Sequence, residues 1–329
     1  MKKYPMLHLR KIQLFFLFTL CYGISSAQVS YFGKESIPPE KFEAFKKTTT
    51  LFTLQYKDYT ELEKFDAAIK KSWTITPYKI IKPEDLAKYD TLANYSFFYF
   101  DAYSEEFENT SKANVVYVLK LATPGKKAKE KEESVLATVT LFADVYTNLQ
   151  VNSMDEQSGS KKAKKSKLLG QLFNQSNFYN WSSGILAGYL KQINDGLNSP
   201  TNRVLELEFY NKVRLPQLAN QTLYVPEYIK QAFSTIKIPG AVSNYDANTI
   251  QEPYTYKLKF ATSKELDTLI LDKSTPIKYV IYTQRGSDKI ISIYDSRDNQ
   301  IIYQKFSPNT LNFEMNDLSS IQKLIKTIK

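Results

Sequence analysis

Past residue 27 the chain contains neither a cysteine nor a histidine; its single Cys21 and single His8 both precede that point. If the first 27 residues are removed, several chemistries go with them. No disulfide forms, no Cys/His zinc site is assembled, and neither a thiolate nucleophile nor a Ser-His-Asp triad is available. Glycine is scarce too, with ten in 329 residues and nowhere the pattern of a phosphate-cradling loop. Long hydrophobic runs are limited to one, Ile12 to Cys21.

That run has the surroundings of a secretory signal peptide. Lys2, Lys3, Arg10 and Lys11 precede it, and Ser25-Ser26-Ala27 follow with small residues at −3 and −1 of a cut between Ala27 and Gln28. Ten residues are too short for a bilayer core of ~30 Å, and Leu20 before Cys21 does not suit a lipoprotein cut. Residues 1–27 are therefore expected to be a signal peptide. No later stretch approaches the ~18 apolar residues of a spanning helix, so no transmembrane helix is expected after its removal.

Taking 27 residues from 329 leaves 302, enough to bury a sizeable core without disulfides. The removed segment has four basic and no acidic residues, so the formal charge falls from +10 to +6. That modest excess collects in two lysine-rich runs, read as surface loops at 125–133 and 158–167. The first mixes signs and sits between two strand patterns. The second holds Lys161, Lys162, Lys164, Lys165 and Lys167, a candidate contact for anionic lipid or polyanionic glycan. Neither run interleaves aromatics for base stacking, so no nucleic acid is expected as a partner.

Periodicity supplies the architecture. In the first part, strands are expected at 51–54, 78–81, 95–103, 115–122 and 135–146, with helices over 59–73, from Pro83 and over 181–197. In the second, strands are expected at 222–225, 254–260, 277–283, 289–294 and 300–305. Helices are expected from Pro226, over 263–271 with Ser263 as N-cap, and over 316–328. The order β-α-β-α-β-β-β-α occurs twice. The fold class is α/β (α+β, mixed sheet), with a first repeat over 28–200 and a second over 201–329, each a mixed sheet with helices packed on it.

The last meander carries a resemblance. In "KIISIYDSRDNQIIYQKF" (289–306), Asp295 and Ile301-Ile302-Tyr303 flank a turn in which Asn299 stands where glycine is usual. Together with the preceding strand, helix and strand order, this resembles the α/β domain of the CsgG and TolB amino-terminal type. The chain is also similar to secreted two-repeat proteins of Gram-negative bacteria. The resemblance implies an envelope assembly or interaction module without a catalytic centre, in the periplasm or on the outer cell surface, with another envelope protein as partner. Asparagine tolerates the left-handed conformation such a turn requires.

Little argues for an enzyme. Glu206 and Glu208 share a strand face as paired carboxylates do, and equally as a solvated face does. Gly184 and Gly188 have a spacing that lets helices pack closely. No cofactor is expected. Asp90-Thr91-Leu92 and Asp267-Thr268-Leu269 match a short acceptor pattern for bacterial O-glycosylation, making Thr91 and Thr268 its candidate sites. The sequence thus reads as a non-catalytic exported interaction module. The alternative is a binder of a small molecule, lipid or glycan in an aromatic-lined cleft between the repeats.

Overall fold

The computed structural model describes residues 28–329 apart from 90–91, 106–113, 125–132, 156–160, 204–207, 231–253, 311 and 329. It is a mixed α/β structure built on two six-stranded sheets. The first comprises β1 (Val29–Tyr31), β2 (Thr49–Thr53), β3 (Tyr78–Ile81), β4 (Tyr95–Glu105), β5 (Asn114–Thr123) and β6 (Ser134–Leu141). The second comprises β7 (Glu208–Tyr210), β8 (Leu223–Pro226), β9 (Leu258–Ala261), β10 (Lys278–Arg285), β11 (Asp288–Asp295) and β12 (Gln300–Ser307). The strand orders, β1-β6-β5-β4-β2-β3 and β7-β12-β11-β10-β8-β9, are the same arrangement used twice. Each has a parallel trio and an antiparallel meander.

Among the described residues the helices with both ends defined are α1 (Pro39–Lys46), α2 (Leu62–Ser72), α3 (Val145–Asp155), α4 (Lys161–Asn174), α5 (Ser183–Asn198), α6 (Ser263–Leu271) and α7 (Met315–Ile328). Their stripes find their expected faces. Leu318, Ile321 and Ile325 of α7 are fully buried in a cluster with Val280, Tyr282, Ile291 and Ile293 of the second sheet. In the first repeat, Phe52 meets Trp73 edge-on and Phe98 at a tilt, and Phe100 stacks on Phe178 and meets Trp181 edge-on, with centroids 5.0–5.9 Å apart.

Helix α5 joins the two repeats. Its Leu186, Tyr189, Leu190 and Ile193 share one apolar cluster with Phe65 and Ile69 of α2, and with Tyr279, Ile281 and Tyr294 of the second sheet. The Gly184–Gly188 spacing is used for this packing. A Cβ at Gly184 would come within 3.0 Å of Ile270 and Asp267, and one at Gly188 within 3.3 Å of the Tyr279 hydroxyl. Asp267 receives the Gly184 amide at 2.6 Å and the Ser183 hydroxyl at 3.0 Å, placing a carboxylate at the amino end of α5.

Several boundaries differ from the sequence reading. The lysine run is not a loop throughout: Lys161 to Lys167 form the first turns of α4. Lysine, leucine and glutamine are good helix formers, and Leu168, Leu169, Leu172 and Phe173 give the helix an apolar face only beyond the lysines. The strand expected to run to Tyr146 stops at Leu141, because Asp144 caps a new helix by accepting the Thr147 amide at 2.7 Å. The N-cap of α6 is Thr262 rather than Ser263. Thr262 and Glu265 complete a reciprocal capping box, which Ser263 has no acidic residue in place to make. The strand expected from Tyr254 begins at Leu258, where pairing with Leu223 starts. Asn299 has φ 59°, the left-handed conformation its turn position demands.

Candidate functional site

Parallel strands in an α/β sheet open a crevice beyond their carboxyl ends. Here that crevice lies past β2 and β3 and has a cavity volume of about 430 Å³. Its walls come from six segments: Tyr56 after β2, Pro83 and Leu86 after β3, Phe97 and Tyr99 of β4, Pro124 after β5, Glu133 before β6, and one face of α4. Local chemistry sets α4 across the opening. The buried Gln55 amide donates to the carbonyls of Leu172 at 2.6 Å and Ser176 at 2.8 Å, and Lys57 reaches the Asn177 side chain at 2.7 Å. From α4 come Lys165, Leu169, Gly170 and Phe173.

A chain of charges forms the polar wall. Tyr99 donates to Glu133 at 2.7 Å, Lys120 bridges Glu133 at 3.3 Å and Asp101 at 2.6 Å, and Lys165 closes on Asp101 from α4. Burial works to raise the carboxyl of Asp101, whose side chain is 4% exposed, but the two ammonium groups outweigh it and hold it below its ordinary range. Burial works against the Lys120 charge, and Asp101 and Glu133 overcome it, so its pKa is raised. Burial, then Glu133 and Asp101, push the Tyr99 phenol far above its usual value. All three shifts lead away from neutrality, where a general acid or base needs to titrate.

Two carboxyls do move toward neutrality, both outside this cleft and both through burial: Glu105, whose rise is opposed by Arg285, and Asp58. Asp58 is raised to about 6 by burial, against hydrogen bonds from the Trp181 indole at 2.9 Å and the Gln55 amide at 3.0 Å. Its folded pKa lies above the unfolded value of 3.8. The proton therefore stabilises the fold fully below pH 3.8, and that contribution is lost as pH rises through about 6. Asp58→Asn keeps an acceptor for both donors and carries no charge. It is expected to raise stability by about 2–3 kcal/mol at pH 8 and to leave it unchanged at pH 3.5, at about 1.4 kcal/mol per pKa unit. Urea melts at the two pH values check this, and equal effects at both would refute it.

The residues singled out by sequence are scattered. Lys164, Lys165 and Lys167 are exposed along α4, and only Lys165 lines the cleft. Lys161 and Lys162 begin that helix. Thr268 lies on α6 with its hydroxyl donated to the Lys264 carbonyl at 3.0 Å. Ala27, Thr91, Glu206 and the run 125–132 lie outside the described residues. Gln28, on the other side of the expected cut, is buried, and its amide donates to Tyr189 at 3.1 Å and Thr283 at 3.0 Å.

Sequence reading missed Asp101, Lys120 and Glu133. A signal was present: Asp101 and Lys120 are the lone charges in "YSFFYFDAY" and "VVYVLKLA", and antiparallel pairing of the two strands sets opposite charges near each other. The aromatic-lined cleft belongs to the first repeat. A separate cleft between α2 and α6, of about 390 Å³, is lined by aliphatic, lysine, glutamate and asparagine side chains and by no aromatic residue. Among the described residues no helix is long and apolar enough to cross a membrane, and no group of three or more His, Cys, Asp or Glu could hold a metal ion. No known protein family, curated protein or solved structure matches the chain.

Proposed function

We propose that the chain is a non-catalytic exported binding protein of the cell envelope, and that it takes its ligand in the first-repeat cleft. The observation that carries this is the cleft itself. It has the volume of a small-molecule site, aromatic and aliphatic walls, and a few polar groups fixed by one another. The ligand it suits is a small molecule or lipid with an apolar ring or chain and one polar end near Lys165 and Glu133. Export is supported by the leader pattern of residues 1–27, and an envelope setting by the resemblance of the meander. The absence of catalysis is supported by the direction of the Asp101, Lys120 and Tyr99 shifts.

Gly170 offers a clean test. A Cβ there meets nothing within 4 Å, although the residue lines the cleft. Gly170→Trp is expected to fill the cavity. It also removes a mid-helix glycine, so the melting temperature is kept or raised. The fluorescent probe anilinonaphthalene sulfonate should bind the wild-type chain, with at least tenfold weaker binding to the variant. Equal binding to both would remove the cleft reading.

A second reading, docking on another envelope protein, has its own observation. Val145, Tyr146 and Leu149 project from α3 into solvent, Leu149 being 64% exposed. Partner capture that survives Gly170→Trp and is lost in Leu149→Asp would favour it.

A further inference from the structure

The cleft of about 390 Å³ runs between α2 of the first repeat and the end of α6 in the second. Ala67 and Ala68 of α2, Ala187 of α5, and Ile270 and Leu271 of α6 give it a wall of short aliphatic side chains. No ring lines it, so a planar ligand finds no stacking partner there. A flexible alkyl chain gains from any apolar surface it covers.

The charges of this cleft are one-sided. Lys64, Lys71 and Lys273 line it with a single carboxylate, Glu63. Lys64 is already bound to Glu61 at 2.5 Å. Lys71 lies about two turns along α2 from Glu63. It is exposed and makes no hydrogen bond or ion pair with any described residue. Lys273 follows α6, and its ammonium donates only to neutral groups, the Ser296 carbonyl and the Asn299 side chain, the latter at 3.3 Å. Asp295 and Asp298, whose charges reach Lys273, are themselves held by Lys278 and by Arg214 at 2.7 Å. Burial, and after it the charge of Lys71, pull the Lys273 amine below its ordinary value. Each ammonium thus makes the other's charge more costly, and an anion between them would relieve both.

We propose that this cleft binds a free medium-chain fatty acid, its carboxylate between Lys71 and Lys273 and its chain along the alanine wall. The two lysines select an anion, and the aliphatic wall selects one that carries a chain. A methylene takes about as much room as a water at ~30 Å³, so the space suits a chain of about ten carbons with its head group. The site shares no lining residue with the first-repeat cleft and stands without it.

Calorimetric titration of decanoate into the full chain at pH 8, below the micelle concentration, tests this. Saturable binding is expected. Decanol, which has the chain without the charge, should bind about tenfold more weakly. Acetate, which has the charge without the chain, should not bind. Lys71→Gln should weaken decanoate binding about tenfold at an unchanged melting temperature, and Lys71→Arg should restore most of it. Ala67→Trp, at an exposed position of α2, should fill the cleft and abolish binding. Gly170→Trp should leave binding unchanged, which keeps this site distinguishable from the first-repeat cleft. The proposal is overturned by no saturable decanoate binding, by binding that survives Ala67→Trp or is unaffected by Lys71→Gln, by decanol binding as tightly as decanoate, or by loss in Gly170→Trp. Sedimentation with phosphatidylglycerol vesicles that Lys71→Gln abolishes, without decanoate binding, would assign the lysines to a membrane surface and overturn it as well.

Discussion

A chain ended before Met315 is expected to lose the fold of its second repeat. The cut removes α7 and with it Leu318, Ile321 and Ile325, all fully buried against Val280, Tyr282, Ile291 and Ile293. Truncating one such side chain to alanine costs about 2–5 kcal/mol, and a whole domain is stable by only about 5–15 kcal/mol. A second loss comes with the first. Lys289 of β11 is 2% exposed, and its ammonium is held by Asp317 of α7 at 2.7 Å and by the Asn312 carbonyl at 2.8 Å. Without α7 the charge keeps only a carbonyl, and stranding a buried charge costs about 3–5 kcal/mol. Amide exchange should show β10 to β12 unprotected, while β4 to β6 retain protection. A single melting transition at the full-length midpoint would refute the expectation.

Gly33→Ala is expected to destabilise the protein by about 3–5 kcal/mol through one methyl group. The new Cβ would lie 2.4 Å from the Thr201 carbonyl oxygen and 2.8 Å from that of Ser199. Both obstacles are backbone and do not swing aside as a side chain would. The position also organises the connection between the repeats. Gly33 donates its amide to Asn202 at 2.8 Å, Lys34 donates to the Ser199 carbonyl at 2.8 Å, and Tyr31 and Arg203 exchange backbone bonds at 2.9 and 3.0 Å. Displacing 199–203 strains all four contacts at once. Denaturant melts of the variant measure the cost, and a loss under 1 kcal/mol would show that the segment relaxes freely.

Parts of this fold are legible in the letters for physical reasons. A strand covered on both sides has no polar face, and "YSFFYF" and "IKYVIYT" say so directly; both are interior strands. The α7 stripe is legible because it spans several turns of one face. The edge strands β1 and β7 are not, since three residues are too few for a period to show. Helix α4 hides behind its lysines, because its apolar residues crowd into the second half. The first-repeat cleft is illegible for another reason. Its walls come from six places in the chain, and only the folded sheet brings Tyr56, Leu86, Tyr99 and Phe173 around one space.

The placement of β1 has a temporal consequence. Val29 pairs with Val139, 110 residues further along, and its neighbours Ser30 and Tyr31 pair with Thr138 and Ala137. A chain made from its amino end therefore produces this strand first and its partner much later. The intervening strands can pair among themselves in the meantime: β2 with β3 and β4, then β4 with β5. The first strand of the sheet to be made is thus the last to join it, and it waits as an unpaired edge while the rest assembles. Three residues is a short edge to leave open. The order of assembly follows, with the amino-terminal strand acting as the closing piece of the first repeat and, through Tyr31 and Arg203, as the stop against which the second is laid.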